Sequence, residues 1–343
     1  MDEVLVAENV RKSYGDVQAL RGVSLSVGAG EVFGLIGPNG AGKTTLVRGL
    51  TGTTSVEGTV RVLGKPPEAV DANRLGLLPQ SFSPAARLTP RELLSHYAGL
   101  YDAARDPDVV LDEVGLADTA DTWYEHLSGG QQRRTCVGAA LVNDPDVLFL
   151  DEPTTGIDPA GRRAVWRLVD RLTAGGTTVF LTSHSMQEVA RLADRVGLVR
   201  GGELVAVGSP DELIREHGGE STLAVETESA REATDALDGN YAVSVVSDGL
   251  VVSGVDPRDI GDVATTLDEA GVDYGSLAWS EPSLEDVYLS LTGESFEGQE
   301  RGVTPPASAG ESDDGSVAVG DGAGAGTGAS AGTETSAGPE EGR

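Results

Sequence analysis

A chain of 343 residues is longer than one typical domain of about 100–200 residues and has room for two cores and an appendage. Acidic residues outnumber basic ones by 55 to 25, and only Lys12, Lys43 and Lys65 are lysines, so arginine carries nearly all the positive charge. A net charge of −30 repels phosphate backbones and excludes nonspecific nucleic-acid binding, since no basic run exceeds Arg133-Arg134; the same carboxylate density suits a high-salt medium such as the cytoplasm of a halophilic archaeon.

In chain order, the N-terminal MDEVLVAENV is acidic and lacks the basic and apolar regions of a secretory signal. No apolar run approaches the ~18 residues that span a bilayer, and the single cysteine, Cys136, allows no internal disulfide. The expected setting is a reducing cytoplasm. Residues 1–36 and 57–63 predict short β-branched strands with turns, among them VQALRGVSLSV and GTVRVLG. EVFGLIG, 31–37, is an apolar strand running into a Gly-rich turn and a helix that begins near Gly42. Residues 84–143 are mostly helical in pattern, with Cys136 expected as a buried, inert thiol.

The period then changes. DVLFLD (146–151) and TTVFLTSH predict buried strands, each followed by a helix. In the first of these helices, PAGRRAVWRLVDRLTAGG, Pro159 sits near the start and Gly175 follows the end, and Ala164, Val165, Leu168, Val169 and Leu172 share one face. Buried strands alternating with amphipathic helices predict a parallel sheet covered on both sides. A shift at His217-Gly218-Gly219 introduces strand, helix, two strands, helix, strand and a closing helix over 221–293, a small α+β domain of the split βαβ kind. Residues 294–343 are Gly, Ala, Ser, Thr, Pro and acids, a composition expected to stay disordered. The expected domains are therefore 1–218, with a helical subdomain at about 84–143, then 221–293, then the tail.

GPNGAGKT, residues 37–44, matches the phosphate-binding pattern G-x-x-x-x-G-K-[ST] and has the required strand before it and helix after it. The glycines let backbone N–H groups converge on phosphates, Lys43 adds a mobile positive charge, the Thr44 hydroxyl can hold Mg2+, and the helix N-terminus favours the anion. LFLDEP (148–153) puts Asp151 and Glu152 at the carboxyl end of a buried strand, where open α/β sheets meet their ligands. Beside a nucleotide loop, Asp151 reaches the metal shell and Glu152 polarises the attacking water. His184 ends a neighbouring strand as a sensor or transition-state group, and Gln80, closing GLLPQ, touches metal or water and reports occupancy to the helical insert. Tyr14, in KSYG, can stack on adenine or simply pack.

LSGGQQRR, 127–134, has the composition of a second anion site at a helix start, with Ser128, Gly129 and Gly130 offering a hydroxyl and free N–H groups. One nucleotide needs one cradle per subunit. The two sites are reconciled if these residues in one copy cover the γ-phosphate held by Gly37 to Thr45 of another, so that ATP joins two subunits and hydrolysis releases them.

The ordered set GPNGAGKTT, LPQ, LSGGQQRR, LFLDEPTTGID and TSH, over about residues 3–217, resembles the ATP-binding cassette (ABC) transporter ATPases. The resemblance implies a P-loop cassette with a RecA-like parallel-sheet core, an antiparallel β subdomain and a helical subdomain that touches a permease. It implies ATP and Mg2+ as cofactors, with catalysis by Glu152, His184 and Gln80 and metal ligation by Thr44, Gln80 and Asp151. The nucleotide would be bound by Tyr14, Gly37, Pro38, Asn39, Gly40, Ala41, Gly42, Lys43, Thr44 and Thr45. In trans would come Ser128, Gly129, Gly130 and Gln131, with Asp158 in a loop that communicates between sites. Ile157 stands where the family usually has leucine, a volume-conserving departure. EPSLEDVYLSLTG (281–293) is similar to the ending of the daunorubicin-resistance type, which serves ABC-2 exporters with separate membrane subunits; an ordinary amphipathic closing helix is the alternative.

The resemblance thus implies an exporter ATPase subunit acting as a dimer, expected to be a homodimer, with an integral-membrane permease at the cytoplasmic membrane face and no nucleic-acid partner. Soluble ABC proteins of ribosomes or DNA usually carry two cassettes or a long coiled coil, and this chain has one cassette and no sustained heptads.

Overall fold

The computed structural model describes residues 2–294, so the expected tail lies outside the described residues from position 295 onward. Chain entry is through β1 (Glu3–Tyr14) and β2 (Val17–Gly28), an antiparallel hairpin. Several short strands were expected here, but each of these runs 12 residues. Register shifts, including those between Ala7 and Val10 and between Lys12 and Ser13, carry pairing through stretches where strict alternation fails. β3 (Val32–Ile36) enters the main sheet, α1 (Lys43–Leu50) follows, and β4 (Glu57–Val62) returns to pair with β1, completing a three-stranded layer.

β5 (Leu75–Leu78) precedes the helical region, α2 (Pro90–Ala98), α3 (Pro107–Glu113) and α4 (Gly129–Ala139). Then come β6 (Val147–Asp151), α5 (Pro159–Ala174), β7 (Thr178–Ser183), α6 (Met186–Leu192), β8 (Arg195–Arg200), β9 (Glu203–Gly208) and α7 (Pro210–His217). The main sheet has the order β5-β6-β7-β3-β8-β9. It is parallel as far as β8, and its edge strand β9 is antiparallel, which the purely parallel expectation omitted. The cause is local: Gly201 and Gly202, with φ of 55 and 84, close a tight hairpin that sends β9 straight back along β8.

Alternation along the buried strands sorts side chains to two faces. Phe33, Leu35, Val147 and Phe149 point toward α1 and the three-stranded layer, where they meet Leu46, Val47, Leu5 and Val23. Val32, Ile36, Leu148 and Leu150 point the other way, onto Leu168 and Val169 of α5, Val189 of α6 and Val137 of α4. α5 starts at Pro159 and is capped at Gly175, as its sequence pattern requires.

Beyond α7 the chain forms β10 (Thr222–Glu226), α8 (Ala230–Leu237), β11 (Ala242–Val246), β12 (Gly249–Ser253), α9 (Ile260–Glu269), β13 (Ser276–Ser280) and α10 (Leu284–Thr292). The sheet order β11-β12-β10-β13, antiparallel throughout, is the split βαβ topology. Leu223, Val225, Leu250 and Val252 pack on Leu237 and Leu267 as a separate small core.

α10 does not join that core. Its Leu284, Val287 and Tyr288 are buried with Met186, Val189, Leu192 and Leu213 of α6 and α7, and Arg200 of β8 donates from Nη1 to the Thr292 carbonyl at 2.8 Å. The closing helix is therefore a strap from the small layer back onto the main one. Leu284→Ala is expected to destabilise the chain by about 2–5 kcal/mol in denaturant unfolding, the range for truncating a buried leucine. A loss under about 0.5 kcal/mol, as at exposed sites, would mean that the strap does not dock in solution.

Candidate functional site

The parallel strands end level with one another. Leu78 pairs with Leu150, Asp151 with Thr182, and Ile36 with Ser183, so the residues just past β3, β5, β6 and β7 share one edge. That edge is where an open α/β sheet presents groups to a ligand. Gln80, Glu152 and His184 all sit one or two residues beyond their strands, at this edge.

Between β3 and α1 the loop 37–42 wraps tightly. A Cβ on Gly37 would lie 2.4 Å from the Val199 carbonyl oxygen, and one on Gly42 would lie 2.5 Å from that of Ala19, so neither position admits a side chain. Gly42 also caps α1 in the left-handed region, at φ 104. Lys43, the first helical residue and only 5% exposed, folds its ammonium back over the loop to donate to the carbonyls of Gly37 at 2.7 Å and Pro38 at 3.2 Å. It lies 3.8 Å from Glu152 Oε1. Burial pushes the Lys43 ammonium below its ordinary value, against the opposing attraction of Glu152 and Asp151. A polyphosphate in the loop would add further negative charge beside this buried cation.

The Glu152 carboxylate is the point of convergence. Besides Lys43, its Oε2 accepts from Gln80 Nε2 at 3.3 Å and from Thr155 Oγ1 at 3.1 Å, and lies 3.4 Å from His184 Nδ1. Its backbone has φ 50, a left-handed conformation that costs a non-glycine residue on the order of 1–3 kcal/mol and persists only when its surroundings impose it. Here the Glu152 N–H is held by both the carbonyl and the hydroxyl of Thr182, each at 3.1 Å. Asp151 is 2% exposed and accepts a short hydrogen bond from Thr182 Oγ1. Among the described residues no basic side chain forms an ion pair with it. A buried carboxylate with no basic partner is the type of oxygen donor that hard divalent cations take. No cluster of three or more His, Cys, Asp or Glu that could hold a metal by itself exists among the described residues.

A cleft of about 360 Å3 follows the loop and is lined by Asn39 to Thr45, Gln80, Glu152 and Ala19. Ser128, Gly129, Gly130, Gln131 and Asp158 do not line it. Instead, Ser128 and Gln131 form a reciprocal cap at the start of α4, with Ser128 Oγ accepting from Gln131 N and Gln131 Oε1 accepting from Ser128 N. Ser128, Gly129 and Asp158 are exposed. Asp158 caps α5 by accepting from Gly161 N at 2.6 Å. A Cβ on Gly130 would lie 3.2 Å from the Gly161 Cα, so the starts of α4 and α5 touch through two glycines. Tyr14 is 46% exposed, and a hydrogen bond to Thr54, helped by one to Thr45, holds its phenol below the ordinary value.

Sequence reasoning missed four contributors. Thr155 had a usable signal, a hydroxyl three residues past Glu152 in the same turn. Thr182 sits 31 residues from Asp151 and becomes its neighbour only through strand pairing. Ala19 and Arg133 likewise reach the site through tertiary contact.

A glycine loop between strand and helix, a buried lysine in it and acids at the next strand's end define a P-loop nucleotide-binding protein. Residues 20–155 match the family described as ABC transporter. The daunorubicin resistance ATP-binding protein DrrA3 of Streptomyces coeruleorubidus is 39% identical over 85% of this chain and 97% of its own length. A Nod factor export ATP-binding protein I of Sinorhizobium fredii is 38% identical, covering 85% and 87%, and the linearmycin resistance ATP-binding protein LnrL of Bacillus subtilis is 36% identical, covering 84% and 98%. A nucleotide-free ATP-binding cassette from an ABC transporter superposes with a TM-score of 0.57 at 27% identity, over 63% of this chain and 94% of that one. The chain belongs to the ATP-binding proteins of ABC transporters. It is an ATPase.

Proposed function

We propose that this chain is the motor subunit of an ABC-2-type exporter, working as a homodimer that closes on two ATP molecules at the cytoplasmic face of a separately encoded permease. The observation that carries this is the division of the site: four side chains meet at Glu152, which lines the cleft with Lys43 and Gln80, whereas Ser128, Gly129 and Asp158 stand outside it and exposed. The names of the relatives, drug resistance and Nod factor export, support the direction of transport.

In this reading the β- and γ-phosphates take the place of the Gly37 and Pro38 carbonyls as partners of the Lys43 ammonium. The backbone of Asn39 to Thr45 surrounds them, and Tyr14 stacks on the adenine. Thr44 and Asp151, with Gln80 at the edge, would hold Mg2+, which neutralises charge on the transferring phosphate. Once Lys43 turns to phosphate, Glu152 accepts the proton of the attacking water while Gln80, Thr155 and His184 fix the carboxylate's orientation. Ser128, Gly129 and Gly130 of the partner subunit close over the γ-phosphate. Asp158 and Gln131 brace that surface.

The proposed domains are a cassette over 1–218, a small layer over 221–293 tied back by α10, and the remaining C-terminal segment. No helix among the described residues is long and apolar enough to cross a membrane, which supports a separate membrane subunit. A mainly apolar groove of about 390 Å3, lined by Leu77, Pro79, Phe82, Tyr97 and Tyr101, adjoins Gln80 and is the surface we assign to the permease. Phe82 and Tyr97 meet there edge to face with centroids 5.8 Å apart. Phe82→Glu is expected to abolish co-purification of the membrane chain while leaving ATP affinity within about twofold, since burying a charge at an apolar contact is costly. Retained co-purification would place the dock elsewhere. The acid-rich surface calls for these assays to be run in molar salt.

A further inference from the structure

α4 starts at the Ser128 cap, the end we assign to the partner's triphosphate. Five residues on, Arg133 turns inward. Its Nη2 donates to the main-chain oxygens of Asp151 at 2.9 Å and Glu152 at 2.8 Å, and its Nε donates to that of Pro153 at 2.9 Å. These are three successive carbonyls at the point where β6 ends and the chain enters its left-handed turn. From the opposite side, Thr182 holds the Glu152 N–H. The backbone of the proposed base is thus gripped between β7 and α4. Among the described residues, every hydrogen bond from the helical subdomain to residues 151–153 comes from Arg133.

We propose that Arg133 is a positioning residue for hydrolysis and the strut through which the two nucleotide sites of the dimer sense each other. It rests on the reading of Glu152 as base and of the signature, LSGGQQRR at 127–134, as a trans element. Ser128 and Arg133 lie about 7.5 Å apart along one helix, at 1.5 Å rise per residue, so a shift of the cap is passed to the guanidinium rather than absorbed between them. When the cap seats on the partner's γ-phosphate, the fork holds carbonyls 151–153 in line and the Glu152 carboxylate faces its own nucleotide. When the partner site is empty, α4 is displaced and the fork draws the turn off line. The task suits arginine, whose planar fork presents several N–H groups in fixed directions; a lysine ammonium keeps the charge but is a compact point on a flexible stem.

The test is steady-state ATP hydrolysis by the full-length dimer carrying Arg133→Lys or Arg133→Gln, with kcat normalised to the nucleotide occluded per dimer so that a misfolded fraction drops out. The expected result is a kcat lower by about 10²-fold, the effect of a misplacement near 1 Å. KM should stay within about twofold, because ground-state binding is untouched. In the parent the ATP dependence should be sigmoidal, because each site turns over only when the partner's is filled; in both variants it should become hyperbolic, and lysine should fail to restore either property. Unchanged normalised kcat, or sigmoidal dependence retained in both variants, overturns the strut. A control separates the two layers of argument: if ATP does not trap a dimer of the Glu152→Gln variant, the reading beneath this proposal fails and the strut with it. A trapped Glu152→Gln dimer beside normal Arg133→Lys turnover sinks the strut alone.

Discussion

Glu152→Gln is expected to bind ATP with near-normal affinity, hydrolyse it about 10²–10⁴-fold more slowly and accumulate as an ATP-bound dimer on size-exclusion chromatography. The size of the loss follows from what the substitution changes. Glutamine keeps the shape of the side chain and can still accept hydrogen bonds from Gln80 and Thr155, which lie 3.3 and 3.1 Å from Oε2 in the parent. It cannot take a proton. It also removes the negative partner that lies 3.8 Å from Lys43, which leaves the ammonium freer to meet phosphate and explains why binding should survive. Turnover at the parental rate would remove Glu152 from the role of base and leave its four-sided coordination without a catalytic purpose.

Ser128→Arg is expected to abolish ATP-driven dimerisation and reduce turnover to the background of the isolated subunit, while a single subunit still binds nucleotide. The exposed Ser128 has room for an arginine in the monomer, so the larger residue acts on closure rather than on folding. Loss of the cap itself is a lesser effect of about 0.5–2 kcal/mol in helix stability, and Ser128→Ala, which loses the same cap without adding bulk, measures it separately. An alanine variant that still dimerises beside an arginine variant that does not would assign the effect to the closed interface. If Ser128→Arg instead destroys binding by the monomer, the signature belongs to its own subunit's pocket. Salt matters to both experiments. Two copies each carrying −30 repel one another, and at 1 M ionic strength the screening length falls to about 3 Å, so closure should strengthen as salt rises.

Much of this site was legible because its chemistry is local. Gly37 to Thr44 declare themselves by spacing, since a phosphate cradle needs small residues, one cation and a hydroxyl in a fixed order within one strand-turn-helix. Asp151 and His184 were legible as polar residues at the ends of apolar runs. The surplus of anion sites over nucleotides is what motivates the proposal of a second subunit. The contacts that organise the backbone were not legible. Thr182 reads as one more strand residue until the pairing of β6 with β7 sets it beside Asp151. Arg133 reads as half of a basic pair until α4 is docked and its guanidinium is found on three carbonyls. Gly161, hidden inside a good helical pattern, acquires meaning only when Gly130 arrives 3.1 Å from where its Cβ would be.

The fold divides the same way. The alternation of buried strand and amphipathic helix predicted the main sheet, and the strand-helix order of 221–293 predicted the split βαβ layer. The antiparallel edge β9 escaped because Gly201-Gly202 was not read as a hairpin. The destination of α10 escaped because an amphipathic stripe states that a helix packs without stating on what. Leu284, Val287 and Tyr288 would have satisfied either core, and the structure places them on the larger one.

The central claim, that each nucleotide is held by the loop of one subunit and the signature of the other, is tested most directly by counting ATP occluded per dimer in two mixed dimers built on Glu152→Gln. In the first, one subunit carries Lys43→Ala and its partner carries Ser128→Arg. In the second, a single subunit carries both changes and its partner carries neither. Composite sites predict that the first dimer retains one intact site and occludes one ATP, whereas the second has damage in both sites and occludes none. The opposite pattern, nothing in the first and one ATP in the second, would mean that each subunit completes its own pocket and would contradict the account.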